Sequence, residues 1–353
     1  MVKDAVPLGE LRRALVLKLR HHGDVLLSAP VLSVLKAHAP QLEVDALVYD
    51  DTAPMLEGHP ALSQLHTVGR GWRAVGSLQR LSLEKNLFGR LRARGYDLMV
   101  HLSEQPRGAW LTRTLGVRYS VAPKMADRGG FWQRSFTHFY PIVARRHMVE
   151  VNLDALRRIG VQPAPAERKV TFVPGAQAEQ AVDRLVDGRG FVHFHPASRW
   201  RFKCWTVEKN AELIDRLVAE GHRVVVTAAP DETQMIDEIL ARSRAKPLNL
   251  AGKLTLKQLG AVAARARLFV GVDSMPMHLA AAMGVPTVAL FGPSGETEWG
   301  PWNVAHRVVT SAHTCRPCGQ DGCGGGKVSE CLTLLPVDTV HAAARELLAE
   351  AAR

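Results

Sequence analysis

Three short segments of this chain carry residue types that could do chemistry, and each one follows an apolar run. The first is Lys18-Leu19-Arg20-His21-His22-Gly23-Asp24-Val25. A carboxylate at a glycine turn that opens a helix can cap that helix. It can equally act as a general base that takes a proton from a hydroxyl. Lys18, six residues earlier, can position the hydroxyl's owner or tune Asp24. The second segment runs from His195 to Trp205, where Ser198, Arg201 and Lys203 offer charge and hydrogen bonds to a diphosphate. By composition alone it reads equally as a solvated basic loop with packed tryptophans. The third is Gly271-Val272-Asp273-Ser274-Met275-Pro276-Met277-His278. Ser274 suits an N-cap and Pro276 a first helical turn. The free N–H groups and positive dipole of such a helix start make an anion site. Asp273 could hold a hydroxyl of the ligand and His278 could donate to a phosphate. The plainer alternative is that Asp273 caps and His278 packs, but three polar groups at one strand-to-helix junction weigh against it.

These residues need elements to hold them. Residues 14–19 read as a buried strand, and apolar spacing over 25–37 predicts one helix after it. Further strands are expected at 44–48 and 96–102. Four prolines and glycines in 161–178 mark a linker. A second series follows, with strands at 191–194, 223–227, 268–272 and 286–291, helices over 207–218, 231–242 and 255–266, and a closing helical pattern over 337–352. Strands alternating with helices predict parallel, doubly wound α/β sheets. Two Rossmann-like halves leave a crevice beyond the strands' carboxyl ends, where all three segments fall.

Bulk properties agree. At 353 residues the chain suits two domains, and 46% hydrophobic residues can bury two cores. A formal net charge of +11 favours a polyanionic partner: nucleic acid, an anionic membrane surface or a phosphorylated substrate. A nucleic-acid binder would cluster its basic residues with aromatics; here the 45 Lys and Arg are spread and 6% of residues are aromatic, so no nucleic-acid partner is expected. No stretch of about 20 apolar residues is uninterrupted, and no secretory h-region precedes the first polar break. A cytoplasmic protein is expected. No G-x-G-x-x-G motif is present, which removes the main support for a dinucleotide oxidoreductase.

In this order, the three segments resemble the bacterial ADP-heptose:lipopolysaccharide heptosyltransferases of glycosyltransferase family 9. The Gly23-Asp24-Val25 loop is similar to the family's catalytic loop, and Lys203-x-Trp205 to its donor-phosphate motif. Val272-Asp273-Ser274-x-x-x-His278-Leu279-Ala280-Ala281-Ala282 with Pro286-Thr287-x-x-Leu290-Phe291-Gly292-Pro293 is similar to its donor-site signature. The resemblance spans residues 15–337. The segments 199–205 and 273–278, with Cys315-Arg316-Pro317-Cys318, are most like the heptosyltransferase III branch; Ser274 and Met275 depart from the Thr-Gly pair of the branches that add the first and second heptoses.

The resemblance implies a GT-B fold: an acceptor domain at 1–172, an ADP-heptose domain at 173–336, and a C-terminal helix at 337–353 that returns to the N-terminal domain. It implies inverting transfer of heptose to a heptose of the phosphorylated lipopolysaccharide inner core, with no metal or other cofactor, by a monomer peripheral to the inner face of the inner membrane. Asp24 would be the base. Ser198, Arg201, Lys203 and the 274–278 helix start, Met275 included, would hold the diphosphate. Asp273 would hold the heptose, and Glu232 with the Gly252-Lys253 turn the ribose and adenine. Lys18, Arg70, Arg73, Arg107, Arg113 and Arg128, with Arg134, are the expected contacts and counterions for the acidic acceptor. Heptosyltransferase I or II activity, a GT-B epimerase and a silent lipopolysaccharide-binding module are the alternatives. Cys315, Cys318, Cys323 and Cys331 have a spacing four thiolates could use for zinc; a reduced, packed loop is the favoured reading.

Overall fold

A computed structural model describes residues 4–351, apart from the side chain of Arg73. The chain divides into two compact units, Met1–Phe172 and Val173–Arg353. The first unit holds six strands: β1 (Arg13–Leu17), β2 (Glu43–Tyr49), β3 (Gln64–Val68), β4 (Leu98–His101), β5 (Tyr119–Pro123) and β6 (His138–Tyr140). They form one sheet in the order β3-β2-β1-β4-β5-β6, and every pairing is parallel. From Ala14 onward the central strand β1 is an unbroken apolar run because helices cover both faces of such a sheet. Leu17, at its end, is in register with Leu47 on one side and His101 on the other. Strand order reverses between β1 and β4, and the chains leaving them diverge, which opens the crevice of a doubly wound sheet.

The helix expected over 25–37 is two helices, His22–Leu26 and Ala29–His38. Pro30 lies in the first turn of the second. It has no N–H with which to continue a helix from before Ser28, so the ladder breaks there. The break leaves Asp24 on a short, separate helix directly beyond β1.

The second unit repeats the plan with β7 (Phe191–His195), β8 (Val224–Val226), β9 (Leu248–Asn249), β10 (Ala266–Val272), β11 (Thr287–Leu290) and β12 (His306–Val309). The order β12-β11-β10-β7-β8-β9 puts its reversal between β7 and β10. Gly271 is required there: a Cβ on it would lie 2.7 Å from the carbonyl oxygen of His195, its register partner on β7.

The C-terminal helix, Val337–Glu350, corrects one expectation. It packs on the second unit, where a place on the first was expected. Val337, Val340, Ala343, Ala344, Leu347 and Leu348 share a core with Leu213, Ile214 and Leu217 of the helix Val207–Ala219 and with Val288 and Leu290 of β11. Each buried leucine of that stripe contributes roughly 1.5–3 kcal/mol. Arg216–Asp338 (2.6 Å) and Arg307–Glu346 (2.9 Å) flank the contact.

Candidate active site

In the first unit, Asp24 sits in the first turn of His22–Leu26, but it is not the cap. That position is His21, and no side chain caps this helix. The carboxylate is 8% exposed. Its Oδ1 lies 3.7 Å from Nε of Arg20 and 4.0 Å from Nζ of Lys18. Two cations thus lie against a mostly buried carboxylate at the strand reversal.

Lys18 is itself buried, at 4% exposure. Its Nζ donates to the carbonyl of Leu102 (2.9 Å) and to Oδ1 of Asn152 (3.1 Å). Asn152 Nδ2 in turn donates to the carbonyl of Leu27 (3.0 Å), beyond the Asp24 helix. Burial pushes the Lys18 pKa down to about 8, while the Asp24 charge opposes that fall. The ammonium is bonded within the unit and lies 4.0 Å from Asp24, a placement that suits the second of its two expected roles, positioning Asp24. Asn152 was not anticipated. Its signal is a lone amide on the buried stripe Val149, Asn152, Leu153 and Leu156 of the helix Met148–Arg158.

The acceptor-side arginines separate. Arg70 joins the Asp24 loop: it donates to the carbonyl of Arg20 (2.8 Å), pairs with Asp51 (2.6 Å) and lies 4.0 Å over the Tyr49 ring. Arg128, beyond β5, donates to the carbonyl of Glu104 on the loop beyond β4 (3.2 Å). Arg107 is not an open counterion, because Glu84 takes both of its terminal nitrogens at 2.6 Å. Arg113 is in the last turn of the helix Pro106–Leu115, about 10 Å along its axis from the helix start. There it donates to the carbonyl of Arg134 and sits over Phe131. The Arg73 side chain lies outside the described residues.

In the second unit, the loops beyond β7 and β10 meet. Lys203 Nζ lies 2.6 Å from Oδ2 of Asp273, which is 6% exposed. Ser274 N-caps the helix Met275–Ala282 through its backbone alone, and Pro276 lies in its first turn. His278, one turn in, is buried with its ring 6.3 Å from that of Trp299. A cation, a helix start and a carboxylate therefore converge. The unexpected detail is that Lys203 and Asp273, read as separate ligand contacts, neutralise one another.

Beside this point, a cavity of about 380 Å3 opens between the loops beyond β7 and β8. Ser198, Arg199, Arg201, Asp231, Glu232, Gln234 and Met235 line it. The size suits part of a small ligand. Burial raises the Glu232 pKa. Its Oε2 accepts from the backbone N–H of Ala229 (2.9 Å) and lies 3.8 Å from His195 Nε2. Gly252 has φ +70°, and a Cβ there would fall 2.8 Å from Thr233 Cγ2. It lets the chain pass against the turn that carries Glu232. Lys253 is exposed, donates to the carbonyl of Asn249 and does not line the cavity. Ala197, Arg199, Asp231, Gln234 and Met235 are the cavity residues that sequence reasoning missed; each lies within three positions of one it chose. Cys315, Cys318 and Cys323 are exposed, Cys331 is buried, and all four are free thiols. Among the described residues, no group of three or more His, Cys, Asp or Glu is placed to hold a metal ion.

Comparison with known proteins agrees with this geometry. The family model "Glycosyltransferase family 9 (heptosyltransferase)" matches residues 85–328. Lipopolysaccharide heptosyltransferase 3 of Escherichia coli is 36% identical over 291 residues, 81% of this chain and 85% of that protein. The crystal structure of a family 9 glycosyl transferase from Veillonella parvula superposes with TM-score 0.84 at 23% identity, over 99% of this chain and all of that one. E. coli ADP-heptose lps heptosyltransferase II gives 0.77 at 21% identity, over 97% of this chain and all of that one. These likenesses show the GT-B fold of two Rossmann-like units. On the family match and the identity to heptosyltransferase 3, the chain belongs to glycosyltransferase family 9, the heptosyltransferases.

Proposed function

We propose that this enzyme moves heptose from ADP-heptose to a heptose of the phosphorylated lipopolysaccharide inner core, as a heptosyltransferase of the III type. The observation that carries the reading is the buried carboxylate directly beyond β1, at the first unit's strand reversal. Asp24 caps nothing, is held by Lys18 and Arg20, and stands where a ligand of a doubly wound sheet binds.

In this reading, the acceptor hydroxyl oxygen forms a bond to the anomeric carbon as Asp24 takes its proton. The bond from that carbon to the β-phosphate oxygen breaks, and ADP leaves with the electron pair. One displacement inverts the anomeric centre. Lys203 and the N–H groups of the Ser274 helix start stabilise charge growing on ADP. The diphosphate then replaces Asp273 as the partner of Lys203, which frees the carboxylate for a heptose hydroxyl. Ser198, Arg201 and Glu232 line the cavity for the nucleoside half. Lysine and helix dipole supply the charge that a metal supplies in other transferases, so we expect no metal requirement. Arg70 and Arg128 face the acidic acceptor. No helix among the described residues is long and apolar enough to cross a membrane. We place the enzyme at the cytoplasmic face of the inner membrane, as a peripheral protein.

The test is incubation with ADP-heptose and defined truncated cores, followed by mass spectrometry. A product one heptose heavier, formed only with an acceptor that lacks that heptose, is the expected result. Alteration of the donor without any acceptor would replace this reading with epimerisation.

A further inference from the structure

The first unit exposes large apolar side chains at one end. The helix Ser77–Arg94 buries Leu87 and Leu91 in its second half, whereas residues 77–82 are all exposed. Leu78 is 84% and Leu81 66% exposed. Isolated exposed leucines are ordinary, but these continue into an aromatic strip. Phe88, on the Leu81 face two turns on, lies 5.6 Å from the half-exposed Trp110. One turn after Trp110, Arg113 lies 5.7 Å over the exposed ring of Phe131.

Charge sits beside this strip. The helix carries five basic residues and one acid, Glu84, which is neutralised by Arg107 at 2.6 Å. Arg80 and Lys85 are exposed on the same turns and have no ion pair among the described residues. The helix begins just after β3 and its turn Arg70–Arg73, so its bare first turns stand at the carboxyl edge of the sheet. That edge also holds Asp24. An apolar strip rimmed by unpaired cations has the composition of a surface that lies in a lipid–water interface.

We propose that Leu78, Leu81, Trp110 and Phe131, with Arg80 and Lys85, dock the first unit on an anionic phospholipid bilayer and turn the Asp24 edge toward a membrane-borne acceptor. The purpose of this contact rests on the transferase reading; the contact itself does not. The experiment is co-sedimentation of the full chain with vesicles of phosphatidylcholine alone and of equimolar phosphatidylcholine and phosphatidylglycerol. Leu78→Asp/Leu81→Asp, Arg80→Glu/Lys85→Glu and, as a control, Leu334→Asp (62% exposed in the second unit) are compared with the parent.

We expect the parent to pellet with the anionic vesicles and to be released by salt. Withdrawing two leucines from lipid lowers partition at least about twentyfold. The charge-reversal pair removes the preference for phosphatidylglycerol, and Leu334→Asp changes nothing. Turnover of a lipid-free core acceptor stays at the parental rate in every variant, which also confirms folding. A parent that ignores anionic vesicles at low salt, or a leucine pair that binds as the parent does, overturns the proposal. So does a parent dimer in analytical ultracentrifugation that the leucine pair converts to monomer, because the strip then serves a second copy. Absence of turnover in the parent on the lipid-free acceptor counts against the transferase reading and leaves the vesicle result to decide the docking surface.

Discussion

Asn152→Leu should shift the alkaline limb of activity, by an amount that follows from the Lys18 contacts. Lys18 is buried, its ordinary pKa of 10.5 is lowered to about 8, and Asp24, Arg20 and Glu104 are the charges that act on it. His101, which feels the Lys18 charge, is held neutral by burial, with its pKa near 3. Above pH 8 the brace therefore loses its charge, Asp24 loses one of its two cations, and kcat/KM falls. A hydrogen bond to an ammonium contributes about 1.5 kcal/mol at the low end. At about 1.4 kcal/mol per pKa unit, removing the Asn152 oxygen lowers the Lys18 pKa by roughly one unit, and the limb moves from near pH 8 to near pH 7. Asn152→Asp puts a carboxylate there instead and moves the limb upward. Stability carries the same signature. The unfolded chain binds the Lys18 proton more tightly, so this residue weakens folding by about 3 kcal/mol below pH 8, and that penalty fades as pH rises from 8 to 10.5. The assay is ADP release against pH at subsaturating acceptor, with melting curves to confirm folding. A parent profile flat through pH 9, or the same limb in all three proteins, refutes the brace.

Lys203→Met should weaken ADP binding about tenfold to a hundredfold by calorimetry, and should also destabilise the second unit, because Asp273 is left buried without its partner. Gly252→Ala should lower stability by roughly 1–3 kcal/mol, since it needs a positive φ and a Cβ 2.8 Å from Thr233. By displacing the Glu232 turn it should raise KM for the donor more than it lowers kcat. Turnover should survive dialysis against a chelator, with metal content measured in parallel; loss of activity restored by one added divalent ion would contradict the metal-free reading.

Most strands buried on both faces were legible because burial leaves apolar runs; β5, Tyr119-Ser120-Val121-Ala122-Pro123, was not, because a serine and a proline interrupt its run. β1, β2, β4, β7, β8, β10 and β11 all announce themselves this way. β3, Gln64-Leu65-His66-Thr67-Val68, and β12, His306-Arg307-Val308-Val309, do not. They lie at sheet edges, half exposed, and owe their conformation to pairing with one neighbour. β9 has two residues and no sequence signal of its own. The C-terminal helix shows the same division: its apolar stripe was plain, but a stripe does not name the surface that buries it. At the candidate site, Asp24, Lys203 and Asp273 could be singled out because turn residues place them just after strands. The pairings Lys18–Asn152 and Lys203–Asp273 were not legible, because they span 134 and 70 residues and arise only when the helix Met148–Arg158 packs on the first sheet and β7 lies beside β10. The Arg107 ion pair was hidden for a related reason: a surface arginine cannot be told from a paired one until Glu84 is seen against it.

The most direct measurement compares the parent with Asp24→Ala, using ADP-heptose, a defined truncated core and mass spectrometry, with ADP affinity measured by calorimetry on the same samples. We expect the variant to bind ADP as the parent does while transfer falls by at least about a hundredfold, the contribution typical of a general base. Parental turnover by Asp24→Ala would contradict the role given to this carboxylate.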